Sequence, residues 1–249
     1  MNILGIIPAR YASSRFPGKP LVDIRGRSMI LRVCDRAFQS EVFLDVIVAT
    51  DDERILEHVF LAGYQAVMTS SEHRSGTDRC LEAMQIREAQ LGKSFDHIIN
   101  IQGDEPFIHP EQIRKVAALL TEKNAPIATL AKLITRNEDI FDPNVVKVVF
   151  NKTLDALYFT RSPVPYVRDL AETGWAERCV HFKHIGIYGY RSETLKTICS
   201  LPEGVLEKQE SLEQLRWLEH GLQIKIDVTD LESIAIDTPD DLLKITNIP

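Results

Sequence analysis

Apolar residues fall along the chain in short runs separated by polar turns, and the two periods of those runs predict its elements. Ile3 to Ile7 is an unbroken apolar run, too short for an ordinary helix, and reads as a buried parallel strand that Pro8 ends. A polar loop follows to Leu21. Ile30, Val33, Cys34, Ala37 and Phe38 then recur at helical spacing, predicting a core-facing helix over 29–39. Residues 44–49 (LDVIVA) predict the next buried strand, and Thr50, Asp51 and Asp52 offer caps for a helix that stops at Gly63. HIINIQ, from His97, predicts a central strand. Pro110 starts a helix with Ile113, Val116, Ala117 and Leu120 on its buried face. This rhythm implies a parallel sheet with covering helices.

After residue 125 the pattern changes. IATLAKLI (127–134), VVKVVF (145–150) and ALYFT (156–160) are successive strands without long helices between them, which predicts antiparallel pairing for several. Residues 162–183, with Pro163, Pro165, Gly174 and many charges, read as a protruding segment. KHIGIYGYR (183–191) alternates, placing His184, Gly186, Tyr188 and Tyr190 on one side of a half-buried strand. Residues 206–221 predict one helix that buries Leu212, Leu215 and Leu218 and ends at Gly221. QIKIDV (223–228) and SIAI (233–236) predict further strands. Thr238, Pro239 and Asp241 form the capped start of a last helix. No repeat, low-complexity stretch or obvious linker interrupts the pattern.

Composition narrows the class. Hydrophobic residues make up 44% of 249, enough for a sizeable core. The net charge of -7 leaves no global basic footprint, so nucleic acid is not an expected partner. Cys34, Cys80, Cys179 and Cys199 have neither disulfide-framework nor zinc spacing, which fits a reducing cytoplasm. No signal peptide and no membrane-spanning run is expected.

Against that acidic background, Arg10, Arg15 and Lys19 gather in the first loop beside Ser13, Ser14 and Gly18. A loop leaving the carboxyl end of the first strand of an α/β sheet is a ligand position, and cations with backbone N–H groups suit a polyphosphate. A solvated basic loop is the other reading. Neither a Walker loop nor a GxGxxG turn is present. SSEHRSGTDRC (70–80) is, on its residues alone, a helix start capped by Ser75 or Thr77. GDEP puts Asp104 and Glu105 in a turn at a strand end. There an acid serves either as a magnesium ligand beside phosphates or as part of an ordinary acidic turn. The Thr238 cap leaves Asp237 without a structural task. His184 taken alone fits a hydrogen-bonded core histidine.

IPARYASSRFPGKPL resembles the amino-terminal signature of the 3-deoxy-manno-octulosonate (Kdo) cytidylyltransferases. A shorter ARxxSxRxPGK form is shared with the sialic acid cytidylyltransferases. HRSGTDR, QGDEP, FDPNVVKVV, ALYFTRSPVPYVRD, KHIGIYGYR, E-SLEQLR and DTPDDL extend the resemblance from residue 3 to about 243. It implies one domain over 1–249 with a Rossmann-like nucleotide-diphospho-sugar transferase fold. Residues 1–125 would mainly bind nucleotide. Residues 126–235 would form a mixed β region for sugar and dimer contact, and 236–249 would carry a metal aspartate and the last helix. The implied reaction joins CTP and Kdo to give CMP-Kdo and pyrophosphate, in a cytoplasmic homodimer.

The resemblance also implies roles residue by residue. Pro8, Ala9, Arg10, Ser13, Arg15, Lys19, Ser75, Gly76 and Gln102 would bind the nucleotide. Arg10, Lys19, Asp104 and Asp237 would be catalytic, and the two aspartates would hold Mg²⁺. Arg161, His184, Tyr188, Glu210, Glu213 and Gln214 would meet the sugar, although Arg161 could equally staple a loop. Two other readings are a sialic acid cytidylyltransferase and a non-catalytic nucleotide-binding protein of the same fold.

Overall fold

The computed structural model describes residues 2–12, 16–233, 236 and 238–245, with side chains as far as 242. The chain divides into two compact units, Met1–Ala117 with Glu232–Pro249, and Ala118–Leu231.

The first unit contains β1 (Ile3–Ala9), α1 (Met29–Gln39), β2 (Asp45–Thr50), α2 (Glu53–Leu61), β3 (Gln65–Met68), α3 (Gly76–Leu91) and β4 (His97–Asn100). The division between the units falls inside α4 (Pro110–Thr121). The first unit's strands pair in the order β3-β2-β1-β4, all parallel. As the unbroken apolar runs require, Leu4, Ile6, Ile7, Ile47, Ala49, Ile98 and Ile99 are fully buried.

Two details of this unit depart from the sequence reading. β1 runs through Pro8 to Ala9, with Pro8 opposite Ala49. The Ile6 carbonyl accepts from the Ile101 N–H, so Pro8, two residues on, faces the same edge. Pairing with β4 has ended there, at Ile6 opposite Asn100, and the missing proline N–H costs no ladder bond. On α1, Ile30, Val33, Cys34 and Ala37 are buried, but Phe38 is 49% exposed and lays its ring against Tyr64 at 5.3 Å. The predicted caps form. Asp52 accepts from the Arg54 N–H at 3.0 Å, Ser75 rather than Thr77 caps α3, and Gly63 ends the second helical segment at φ 86°.

The second unit has β5 (Ile127–Leu133), α5 (Asn137–Phe141), β6 (Lys147–Phe150), β7 (Ala156–Thr160), α6 (Trp175–Arg178), β8 (Phe182–Arg191), α7 (Ser192–Ser200), α8 (Val205–Glu210), α9 (Gln214–Glu219) and β9 (Ile224–Val228). β5 pairs antiparallel with β8 and parallel with β9, while β6 pairs antiparallel with β7 and β8. This is the expected mixed region. His184, Tyr188 and Tyr190 stand opposite Ala131, Thr129 and Ile127, and so share one side of the sheet. Gly186 falls where the register shifts.

Two expectations in this unit need correction. The segment 162–183 does not simply protrude, because Trp175 is buried with Ile134 and Ile140 and donates its indole N–H to the Leu170 carbonyl. The helix predicted over 206–221 is two helices. Ser211 takes the left-handed conformation (φ 52°), and the Glu210 carbonyl accepts from Arg161 Nε instead of continuing the helical ladder. Turning the chain there buries Trp217, where one continuous helix would have buried Leu218.

The last helix, α10 (Pro239–Ile245), belongs to the first unit. Thr238 caps it, its N–H donating to Asp241 at 3.0 Å. Most of the predicted strand 233–236 lies outside the described residues. Among the described residues the four cysteines form no disulfide, and burial pushes the Cys34 thiol up to about 12. Among the described residues no helix is long and apolar enough to cross a membrane.

Candidate active site

In the first unit the strand order runs outward from β1 in both directions, so the crevice beyond the carboxyl ends of β1 and β4 is the topological switch point where such sheets bind ligands. A cavity of about 300 Å³ lies there. Pro8, Ala9 and Arg10 enter it from the end of β1, Lys19 and Pro20 from the basic loop, residues 73–76 and Arg79 from the start of α3, and Gln102, Gly103 and Asp104 from the turn after β4.

The turn after β4 is held close to β1. A side chain at position 103 would bring its Cβ to 2.6 Å from the Pro8 carbonyl oxygen, so only glycine lets the two backbones approach. The next residue, Asp104, turns its carboxylate onto Lys19 Nζ at 2.8 Å. Their side chains are 31% and 12% exposed, so the pair is reachable from the cavity without being fully hydrated. Lys19 follows Gly18, whose φ of 72° and N–H bond to the Tyr11 carbonyl close the basic loop on itself.

Seven nucleotide-binding candidates, Pro8, Ala9, Arg10, Lys19, Ser75, Gly76 and Gln102, line this one cavity together with Asp104. Ser13, Arg15 and Asp237 lie outside the described residues. The neighbour of Asp237, however, is tied to the site, since the Ile236 N–H donates to the Asp104 carbonyl at 2.9 Å. Ile236 also packs with Ile24 and Met29.

The residue-by-residue roles left out His73, Pro20, Gly103 and Arg79, although the resemblance places the HRSGTDR loop, with His73 and Arg79, against the nucleotide base and ribose. Arg79 is 4% exposed, and its guanidinium is fixed by Asp51 at 2.8 Å and Thr69 at 2.6 Å. The HRSGTDR string contained the signal, because a helix-start arginine one turn after a cap returns to the strand end.

The sugar candidates lie in the second unit and behave differently. Glu210 accepts from the Thr160 hydroxyl at 2.6 Å and the Arg161 N–H at 3.0 Å. Arg161 donates to the carbonyls of Glu210 and Pro143, so it does staple a loop, whatever else it contacts. Lys147 lies fully buried nearby and donates to the Asp142 and Val145 carbonyls. Burial lowers its pKa, with Arg161 acting in the same sense and Asp142 and Glu210 opposing it.

His184 bonds Thr129 Oγ1 at 2.9 Å and packs between Phe159 and Tyr188. Desolvation pushes its pKa down to about 3, so the ring is neutral. Burial raises the Tyr188 hydroxyl well above its ordinary value, with Glu213 adding to the effect. Gln214 is buried at the start of α9.

Residues 4–226 match the family described as cytidylyltransferase. The chain belongs to that family. Within it, the chain is 52% identical over 248 residues to the 3-deoxy-manno-octulosonate cytidylyltransferase of Parabacteroides distasonis, covering 98% of this chain and 96% of the other. It is 50% identical to the enzyme of the same name from Cytophaga hutchinsonii, covering 99% and 97%. A solved structure of CMP:2-keto-3-deoxy-manno-octonic acid synthetase complexed with CTP superposes with a TM-score of 0.89 at 41% identity, covering 98% of this chain and 97% of that one. These likenesses show a nucleotidyltransferase with the Rossmann-like fold of Kdo cytidylyltransferases, as the amino-terminal signature implied.

Proposed function

We propose that the protein transfers CMP from CTP to the anomeric hydroxyl of Kdo, giving CMP-Kdo and pyrophosphate. The observation that carries this reading is the meeting of Lys19 and Asp104 in the cavity at the β1/β4 switch point, among six further residues that the family signature assigns to nucleotide. The names of the relatives support Kdo as acceptor, and the CTP complex of the similar structure supports the nucleotide.

In this mechanism Arg10 and Lys19 bind the triphosphate oxygens and stabilise charge on the departing pyrophosphate. Phosphoryl transfer asks for that electrostatic help more than for covalent catalysis. Ser75 and Gly76, at the start of α3, offer backbone N–H groups and a positive helix end. The donor set fits magnesium. Asp104 supplies one hard carboxylate facing the cavity, and the Ile236 bond brings the chain before Asp237 beside it. A magnesium site needs only one or two protein carboxylates when phosphates complete it. Bound by Asp104 and Asp237, Mg²⁺ would supply charge neutralisation of the triphosphate and acidify the attacking hydroxyl. Glu210, Arg161, His184, Tyr188, Glu213 and Gln214 orient the sugar acid. Neutral His184 acts there as a hydrogen-bonding group and not as a cation.

A homodimer is part of the proposal, supported by the exposed Leu157, Tyr166 and Val180 of the second unit. A cytoplasmic setting agrees with four cysteines that form no disulfide among the described residues. The deciding experiment is pyrophosphate release measured with each of the four nucleoside triphosphates against Kdo, N-acetylneuraminate and other 2-keto sugar acids. CTP with Kdo should dominate. Preference for N-acetylneuraminate, or CTP binding without turnover, would overturn the assignment.

A further inference from the structure

His73 lines the nucleotide cavity, yet nothing in the mechanism above uses it. Its Nε2 is 2.5 Å from Glu82 Oε2, and the same oxygen accepts the Ser70 N–H at 2.8 Å. Glu82 stands nearly two turns into α3 and reaches back over the helix start. One carboxylate oxygen thus ties both ends of the 70–73 turn to the helix that presents Ser75 and Gly76. Burial alone would raise the Glu82 carboxyl, but the Ser70 N–H, His73 and Arg79 together hold it below its ordinary value. It therefore accepts as a carboxylate. Nε2 of His73 then donates to it, and Nδ1 is the ring nitrogen left to meet a ligand. The side chains are 20% exposed for His73 and 34% for Glu82, so the imidazole is shielded but not sealed from the cavity.

We propose that Glu82 is a positioning residue for nucleotide binding, fixing the orientation of His73 in the cavity wall so that Nδ1 meets a polar group of the bound nucleotide. The inference rests on the reading of the cavity as the CTP site. It predicts a split between binding and chemistry, because His73 enters the cavity from the turn before α3, whereas Lys19 and Asp104 enter from the basic loop and the turn after β4.

In Glu82→Ala, KM for CTP should rise about tenfold while kcat stays within about twofold of wild type. Glu82→Gln should recover most of the loss, since a single oxygen takes both bonds and an amide oxygen can replace it. His73→Ala should raise KM to the same extent, and adding it to Glu82→Ala should cost nothing more. CTP affinity measured directly by calorimetry should follow KM. If Glu82→Ala does not fold, Glu82→Gln compared with His73→Gln carries the same test.

Unchanged KM in Glu82→Ala, additive effects in the double variant, or a loss of thermal stability alone would overturn the proposal. Failure of the wild-type enzyme to turn over CTP with Kdo would instead strike the functional assignment, so the two failures are distinguishable.

Discussion

The cavity of the first unit and the polar cluster of the second are both built from residues that the family signature singles out, yet they use those residues differently. Around the cavity the groups present a surface. Lys19 and Asp104 are bonded to each other, and Arg10 is exposed. In the second unit Glu210, Thr160 and Arg161 bond to one another and to backbone carbonyls, and His184 is packed among aromatic rings. Buried polar groups must be satisfied internally. The second cluster is therefore part of the fold's own stability, whereas the cavity groups contribute little to stability and are available for chemistry. The difference teaches that membership of a signature does not separate a reacting residue from one that builds the scaffold around the reaction.

The largest test of that contrast is Asp104→Asn. Its side chain makes one cavity-facing ion pair, so the variant should fold with a near-normal melting temperature while losing on the order of a hundredfold to a thousandfold in pyrophosphate release. Comparable losses of stability and activity would erase the distinction.

Glu210→Ala should show the opposite balance. It strands the buried Thr160 hydroxyl and the Arg161 N–H, costing roughly 1–3 kcal/mol in urea unfolding. It should also raise KM for the sugar acid and leave that for CTP unchanged. A rise in CTP KM alone would contradict the assignment of Glu210 to the sugar.

The smallest effect concerns His184. With its folded pKa near 3 against an ordinary 6.5, the folded state binds fewer protons than the unfolded one between those values. Its contribution is constant above pH 6.5 and turns destabilising as pH falls from there toward 3. Substituting His184 by Gln should reduce the pH slope of unfolding free energy in that window by up to roughly 1.4 kcal/mol per pH unit. An unchanged slope would mean that the ring is charged in the folded protein and could pair with the sugar carboxylate.

Much of the cavity was legible from the chain because strand ends are legible. Apolar runs located β1 and β4, and Lys19, Asp104 and Ser75 follow from the loops that leave strands or open helices. What stayed hidden depends on contacts distant in sequence. Pro8 continues a strand because the neighbouring ladder has already ended. The break at Ser211 lies in a stretch with good helix formers on either side, and Arg161, some fifty positions away, creates it by taking the Glu210 carbonyl. Phe38 fits a helical stripe but faces Tyr64 on the surface. Trp175 looked like part of an exposed segment, although that segment brings its own small core. Glu82 carried no signal at all, since only the folded turn puts Ser70 and His73 on the same oxygen.

The most direct test of the central claim, that the amino-terminal lysine and Asp104 share a magnesium–triphosphate site, is calorimetric titration of CTP into wild type and Asp104→Asn with and without magnesium. In wild type, magnesium should tighten CTP binding by about tenfold. In Asp104→Asn that coupling should vanish, while metal-free affinity should be at least as high as in wild type, because Lys19 no longer surrenders a carboxylate partner to meet phosphate. Equal magnesium coupling in the two proteins would contradict the account.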